Sequence, residues 1–197
     1  MKKIFLATKN RGKIKELKEI LEGIDGVVVQ SMADGIVTPD IVEDGVTFEE
    51  NSRKKGIETA RFLNSYVIAD DSGICAEGLN GEPGVYSARY AGENATDEEN
   101  NQKLIRELSK IENRKVKYVA VITCASPSGE TISFEGDVEG EFIFERRGEN
   151  GFGYDPYFYL PEYNMTFGEL PSDIKNRISH RAKAMEKLKQ EIKTFLK

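Results

Sequence analysis

The sequence predicts an α/β protein whose mixed β-sheet is flanked by helices. Three observations carry this. Apolar strand-like runs and helical spacings alternate through the first part of the chain, strand-like runs then cluster, and an amphipathic helix closes it. At 197 residues the chain suits one domain, compact or with two lobes. We expect a single domain over 1–197.

The elements follow in order. Residues 3–8 read as a buried strand. Ile14, Leu17, Ile20 and Leu21 give 11–22 a helical face, and Gly23 is a plausible stop. "VVVQ" is a second strand, and 31–46 are turn-rich and acidic. Thr47 and Glu50 stand at capping-box spacing, so a helix begins there. "SYVIADDSG" reads as a strand that ends abruptly in charge. Residues 74–95 read as a long loop. Thr96 and Glu99 repeat the capping-box spacing before a helix carrying Leu104, Ile105, Leu108 and Ile111. "KVKYVAVITCAS" is apolar enough for a central strand. After the turn-like "SPSG", "GETISFEGDVEGEFIF" alternates like an antiparallel arm. Residues 148–156 are a glycine-rich loop. Ala182, Met185, Leu188, Ile192 and Phe195 form one face of a last helix, with Ser179 as its N-cap.

Composition removes several functions. Lys and Arg number 28 against 34 Asp and Glu, a net charge of −6. This argues against a general nucleic-acid or membrane-surface binder and leaves room for a small anionic ligand. The two cysteines, Cys75 and Cys124, form neither a C-x-x-C pair nor a disulfide framework, and read as reduced core residues. A single histidine excludes a His-rich zinc site. A metal here would be hard and oxygen-bound, which suits magnesium. With no secretory signal and no apolar run of about 18 residues, we expect a cytoplasmic protein.

Four stretches bear chemistry. In "TKNRGK" a strand feeds a helix, and backbone N–H groups at a helix start favour an anion. Lys9, Arg11 and Lys13 add charge there, Thr8 and Asn10 add hydrogen bonds, and Gly12 completes the turn. It is not a P-loop, because the first glycine is absent and Ile14 stands where that motif has its magnesium-binding Ser or Thr. "IADDSG" puts Asp70 and Asp71 at the C-terminal end of a buried strand, where open α/β sheets bind ligands. Successive strand residues face opposite ways, so the two acids take different jobs. "NGFGYDP" sets two glycines beside Phe152 and Tyr154, allowing close approach to something flat; Asp155 can accept hydrogen bonds there. "SHR" places His180 and Arg181 in the first turn of the last helix, where the dipole disfavours cations and a ligand or an acidic neighbour would compensate. On the helix from Thr47, Asn51 and Lys55 share one face.

"LATKNRGKIKEL", "EDGVTFEENSRKKG", "IADDSGICAEGLNGEPGVYSARYAG", "GFGYDPYF" and "ISHRAKAMEKL" occur in one order along nearly the whole chain. Together they closely resemble the inosine triphosphate pyrophosphatase family. The resemblance implies magnesium-dependent hydrolysis of non-standard purine nucleoside triphosphates such as ITP, dITP or XTP. The products are the monophosphate and pyrophosphate, a house-cleaning activity that keeps deaminated purines out of DNA and RNA. It implies that Thr8, Asn10 and Lys13 form the phosphate motif and that Lys55 also serves the phosphates. Glu43 and Asp71 match the metal-site acids, and Asp71 matches the residue that activates water. Ser72 matches a substrate contact, and Phe152, Gly153, Tyr154, Asp155, Lys175, His180 and Arg181 match the nucleobase pocket. It also implies a homodimer of an elongated fold with two lobes around a central cleft. Ser52 and Gly56 stand where alanines are usual. A pocket for a 6-oxo purine needs a donor facing that oxygen. Arg181, a permanent donor, suits the role and would leave adenine's amine facing a donor.

Overall fold

A computed structural model describes residues 2–22 and 26–196; the stop expected at Gly23 lies outside the described residues. The chain runs β1 (Lys2–Ala7), α1 (Arg11–Leu21), β2 (Val27–Ser31), α2 (Phe48–Leu63), β3 (Tyr66–Ala76), α3 (Asp97–Leu108), β4 (Lys115–Ala125), β5 (Thr131–Phe142), β6 (Phe158–Leu160), β7 (Met165–Thr166), α4 (Ser172–Ile178) and α5 (His180–Phe195). The strands form a seven-stranded sheet in the order β2-β1-β3-β4-β5-β6-β7. β1 pairs in parallel with β2 and β3, whereas β5–β6 and β6–β7 are antiparallel. The mixed sheet with flanking helices is therefore present. Among the described residues no helix is long and apolar enough to cross a membrane.

The chain divides into two compact units. Residues 1–71, 120–136 and 181–197 make the first, and residues 72–119 and 137–180 the second.

In the first unit, strand alternation builds two cores. Ile4 and Leu6 of β1, Ile68 of β3 and Ile122 of β4 pack with Leu17 and Leu21 of α1 and Met185, Leu188 and Ile192 of α5. Their odd-numbered neighbours Phe5, Ala7, Val67, Ala69 and Ala125 pack with Ala60 of α2. Side chains two apart share a face, so one face takes α1 and α5 and the other takes α2. Each fully buried Leu or Ile contributes about 1.5–3 kcal/mol. Gly56 lets α2 approach: a Cβ there would stand 3.3 Å from the Ala125 Cβ. Ser52, the other departure from alanine, donates its hydroxyl to the Ala69 carbonyl at 3.1 Å and to Thr123 Oγ1 at 2.9 Å.

In the second unit Ile74 and Ala76 of β3, Val116 and Tyr118 of β4 and Phe142 of β5 pack with Leu104 and Leu108 of α3 and with Phe158 and Phe167.

The start signals of α2 and α3 are realised. Thr96 and Glu99 make both bonds of a capping box. Thr47 Oγ1 accepts from Glu50 N, while the Glu50 carboxylate accepts from Val46 N rather than from the cap residue itself. Ser179 sits between α4 and α5, directly ahead of His180.

Three expectations need correction. β3 does not stop at its charges: it runs on through Asp70, Asp71 and Ser72 to Ala76. Residues 74–95 are consequently not one loop, since β3 takes the first three and short 3-10 turns cover Glu77–Leu79 and Gly84–Arg89. Ile111 lies beyond the end of α3. β6, β7 and α4 are too short to leave a periodic signature in sequence.

Candidate functional site

The first unit gathers a charged cluster around the two adjacent acids of β3. Asn10 caps α1 by accepting from Lys13 N at 3.1 Å, and Thr8 Oγ1 accepts from Asn10 N at 3.2 Å. These bonds fix the turn and start the helix so that Lys13 projects from its first turn. Lys13 Nζ reaches Asp70 Oδ2 at 2.5 Å. Asp70 is an even-numbered residue of β3, on the face covered by α1 and α5. There Arg181, 1% exposed, donates Nε to Asp70 Oδ1 at 3.3 Å and pairs through Nη1 with Glu16. Burial is the largest influence on Asp70 and opposes its ionisation. The charges of Arg181 and then Lys13 overcome it and hold the carboxyl well below the usual range.

Asp71 is odd-numbered and belongs to the face of α2. Its environment differs accordingly. Burial dominates and raises its pKa; Lys13 and Lys55 pull down, Glu43 pushes up, and the Asn51 side chain pulls down. Lys55 Nζ lies 2.6 Å from Glu43 Oε1. Adjacent carboxylates thus shift in opposite directions: Asp70 is held in an ion network, and burial raises Asp71.

The other residues of the expected phosphate turn are not drawn in. Lys9 pairs with Asp40 at the surface at 2.6 Å, Arg11 is exposed, and Gly12 is half-buried. Ser72 is half-buried in β3 and belongs to the second unit.

The second unit gathers an aromatic and polar cluster. Asp155 is 3% exposed. It accepts from Phe152 N at 2.8 Å, from Lys175 Nζ at 2.5 Å and from the Tyr118 hydroxyl at 3.2 Å. Lys175 also sits over the Phe152 ring, 5.1 Å from its centroid. His180 stacks on Tyr118 with centroids 4.6 Å apart and planes 7° apart. Tyr154 turns away from this group and donates to the Ser87 carbonyl at 2.7 Å. Gly153 is held from α3 on both sides, its N–H donating to Asp97 and its carbonyl accepting from Asn101. Gly151 is required by contact as well as by its φ of +76°, because a Cβ there would collide with the Asp155 carboxylate.

The structure therefore brings together Lys13, Glu43, Lys55, Asp70, Asp71 and Arg181 in the first unit, and Phe152, Asp155, Lys175 and His180 in the second. Arg181, expected with His180 at the base, pairs with Glu16 and Asp70, the acidic neighbours its place in the helix called for. Sequence reasoning passed over Glu16 and Tyr118. Glu16 had a signal: it is an acid next to Leu17 on the apolar stripe of α1. Tyr118 had little, being one aromatic in an apolar strand.

The arrangement of two lysines beside a buried carboxylate suits hydrolysis of a phosphoric anhydride. Comparison with known proteins agrees. Residues 4–191 match the Ham1 family. The dITP/XTP pyrophosphatase of Clostridium perfringens is 46% identical over the full length of both chains. That of Desulfotalea psychrophila is 47% identical over 98% of this chain and 86% of the relative. The solved Ham1 protein of Staphylococcus aureus superposes with a TM-score of 0.86 at 44% identity, over 98% of this chain and 99% of that one. The Coxiella burnetii HAM1 protein gives 0.88 at 38% identity, over 98% and 100%.

Proposed function

The chain belongs to the Ham1 family, and from that premise we infer that it is a hydrolase cleaving ITP, dITP and XTP to the nucleoside monophosphate and pyrophosphate, keeping deaminated purines out of DNA and RNA. The observation that carries the reading is the buried Asp71 beside Asp70 in β3, with Lys13 Nζ 2.5 Å from Asp70 and Lys55 Nζ 2.6 Å from Glu43.

Water attacks the α-phosphorus, its proton passes to Asp71, and the bond to the bridging oxygen breaks so that pyrophosphate leaves. Lys13, Lys55 and the N–H groups at the start of α1 hold the phosphates, with Thr8 and Asn10 shaping that turn. Lys9, Arg11 and Gly12 complete the turn, and Lys9 and Arg11 add positive potential at its rim. Ser72, the residue after Asp71 in β3, contributes a hydroxyl to the substrate.

Glu43 and Asp71 fit a divalent cation. They are hard oxygen donors that repel each other. Among the described residues no group of three or more metal-ligating side chains occurs, so phosphate oxygens and water would complete the shell. Magnesium suits such a site. Bound there, it supplies neutralisation of phosphate charge.

The second unit reads the base. Phe152 offers a ring face, Gly153 and Tyr154 shape the loop, and Asp155 orients Lys175. Lys175 is donor-only, so it suits a 6-oxo oxygen and leaves adenine's amine unpaired. His180 presents the edge of a ring fixed by stacking. Arg181, read from sequence as the 6-oxo donor, is assigned to the phosphate side, where it holds Asp70 and through it Lys13.

The same reading takes 1–197 as one catalytic domain, since neither unit is continuous in sequence. It places the protein in the cytoplasm as a homodimer with no nucleic-acid or membrane partner. Sedimentation at twice 22.1 kDa checks the dimer. The decisive experiment is a panel of triphosphates with magnesium, measuring pyrophosphate against orthophosphate. ITP, dITP and XTP should exceed ATP, GTP and CTP by about 100-fold in kcat/KM. Equal cleavage of all six, or orthophosphate as product, overturns the reading.

A further inference from the structure

Asp97 and Asn101 stand one helical turn apart on one face of α3. Both reach Gly153 of the glycine-rich loop. Gly153 N donates to Asp97 Oδ2 at 2.7 Å, and Asn101 Nδ2 donates to the Gly153 carbonyl at 3.0 Å. The second bond settles which end of the Asn101 amide is which, because a reversed amide would set one oxygen against another. A Cβ on Gly153 would meet nothing within 4 Å, so the loop is located there by hydrogen bonds rather than by packing.

The consequence falls on Phe152. A side chain's direction is set once the rigid peptide planes on both sides of its residue are held. The plane before Phe152 is held through its N–H, which donates to Asp155 Oδ2 at 2.8 Å. The plane after it is held at both ends. The Phe152 carbonyl accepts from Asp155 N at 3.2 Å, and the Gly153 N–H is taken by Asp97. Asn101 holds the next plane. Lys175 sits 5.1 Å from the centre of the ring so directed and 2.5 Å from Asp155 Oδ2. Asn101 is 2% exposed, and its Oδ1 is buried with no hydrogen-bond partner among the described residues. An unpaired buried acceptor costs stability, and an apolar side chain of the same shape avoids that cost. The bond to the loop, not packing within α3, therefore accounts for the amide.

Resting on the reading that the second unit recognises the base, we propose that Asp97 and Asn101 are positioning residues for base selection. They act through Gly153 to fix the Phe152 ring and the Asp155–Lys175 pair.

The test measures kcat and KM for ITP and ATP with magnesium, beside a thermal melt. Asp97→Ala removes the acceptor for Gly153 N. Asn101→Leu removes the donor to its carbonyl and keeps a side chain branched at the same carbon. In each, the ITP-to-ATP ratio of kcat/KM should fall about 10-fold, and the change for ITP should lie in KM rather than kcat. Asn101→Leu should do this at a thermal midpoint no lower than the parent's. Asp97→Asn keeps an acceptor and should restore most of the ratio. A lowered midpoint with the parental ratio in Asp97→Ala and Asn101→Leu means that both residues serve only the fold, and overturns the proposal. Asp97→Asn as impaired as Asp97→Ala also overturns it, since charge and not the bond would then matter. Lys175→Met, assayed alongside, separates the two claims. Collapse of the ratio there, with the parental ratio in both α3 variants, removes Asp97 and Asn101 and leaves the base reading standing. An unchanged ratio in Lys175→Met removes the base reading itself and the proposal with it.

Discussion

Replacing Arg181 with Met tests the assignment that departs furthest from the sequence. The guanidinium is 1% exposed and spans two carboxylates, the Asp70 side chain being 0% and that of Glu16 10% exposed. Met fills comparable volume, so the change removes charge more than packing. Removing one partner of a buried ion pair costs about 3–5 kcal/mol, because the other charge is left uncompensated. Asp70 keeps Lys13 at 2.5 Å, while Glu16 loses its bond to Arg181. In a chain of this size each kcal/mol moves Tm by about 2–4 °C, so Tm should fall by roughly 6–20 °C in a thermal melt followed by circular dichroism. Turnover should fall for every triphosphate, since Lys13 is held through Asp70, but the ratio of kcat/KM for ITP over ATP should survive. Arg181→Lys restores charge without the fork and cannot serve both acids; it should fall between the two. A variant with parental Tm and a collapsed ITP-to-ATP ratio would refute this reasoning and return Arg181 to the base.

Three further outcomes follow from the same geometry. Asp71→Asn keeps size and hydrogen-bonding capacity but cannot accept a proton, so kcat for ITP should drop by about 10²–10⁴, with nucleotide binding retained by calorimetry. Tyr118→Phe keeps the ring stacked on His180 and deletes the hydroxyl on Asp155. A loss of about 1 kcal/mol in stability and a several-fold fall in the ITP-to-ATP ratio are expected, and an unchanged ratio would remove Tyr118 from base reading. Acid stability reports on Asp70. Its folded pKa is depressed, so it stabilises the fold fully above its unfolded value of about 3.9 and that contribution fades as pH falls further. Metal-free parent should therefore lose stability steeply below about pH 4 in a urea titration, and Asp70→Asn, already weakened at pH 7, should lose less over that range.

Much of the fold was legible because its signals are local. Thr96 and Glu99 cap as their spacing says, and Ile4, Leu6, Phe5 and Ala7 divide between two cores as alternation says. What was illegible depended on partners remote in sequence. The "DD" pair looked like a strand end because two buried charges are costly unless compensated, and the compensating groups sit at 13, 55 and 181. Once those arrive, the backbone stays extended through both acids and on to Ala76. Arg181 was half legible for the same reason: a cation in the first turn of a helix calls for a ligand or an acidic neighbour, and sequence could not say that Glu16, 165 residues away, and Asp70 are those acids.

This dependence also explains why the acids can be neighbours. Two carboxylates on one face of a site share protons and cannot both act independently. A strand turns them to opposite faces. Asp70 looks to α1 and α5, where charge is fixed by Arg181 and Lys13. Asp71 looks to α2, where Asn51 and Lys55 stand and burial keeps it basic. A helix or a turn at 70–71 would have merged the two environments. The extension of β3 through its own charges is thus a condition of the proposed chemistry, because it lets one acid anchor Lys13 while the next faces Lys55 and Glu43 on the other side.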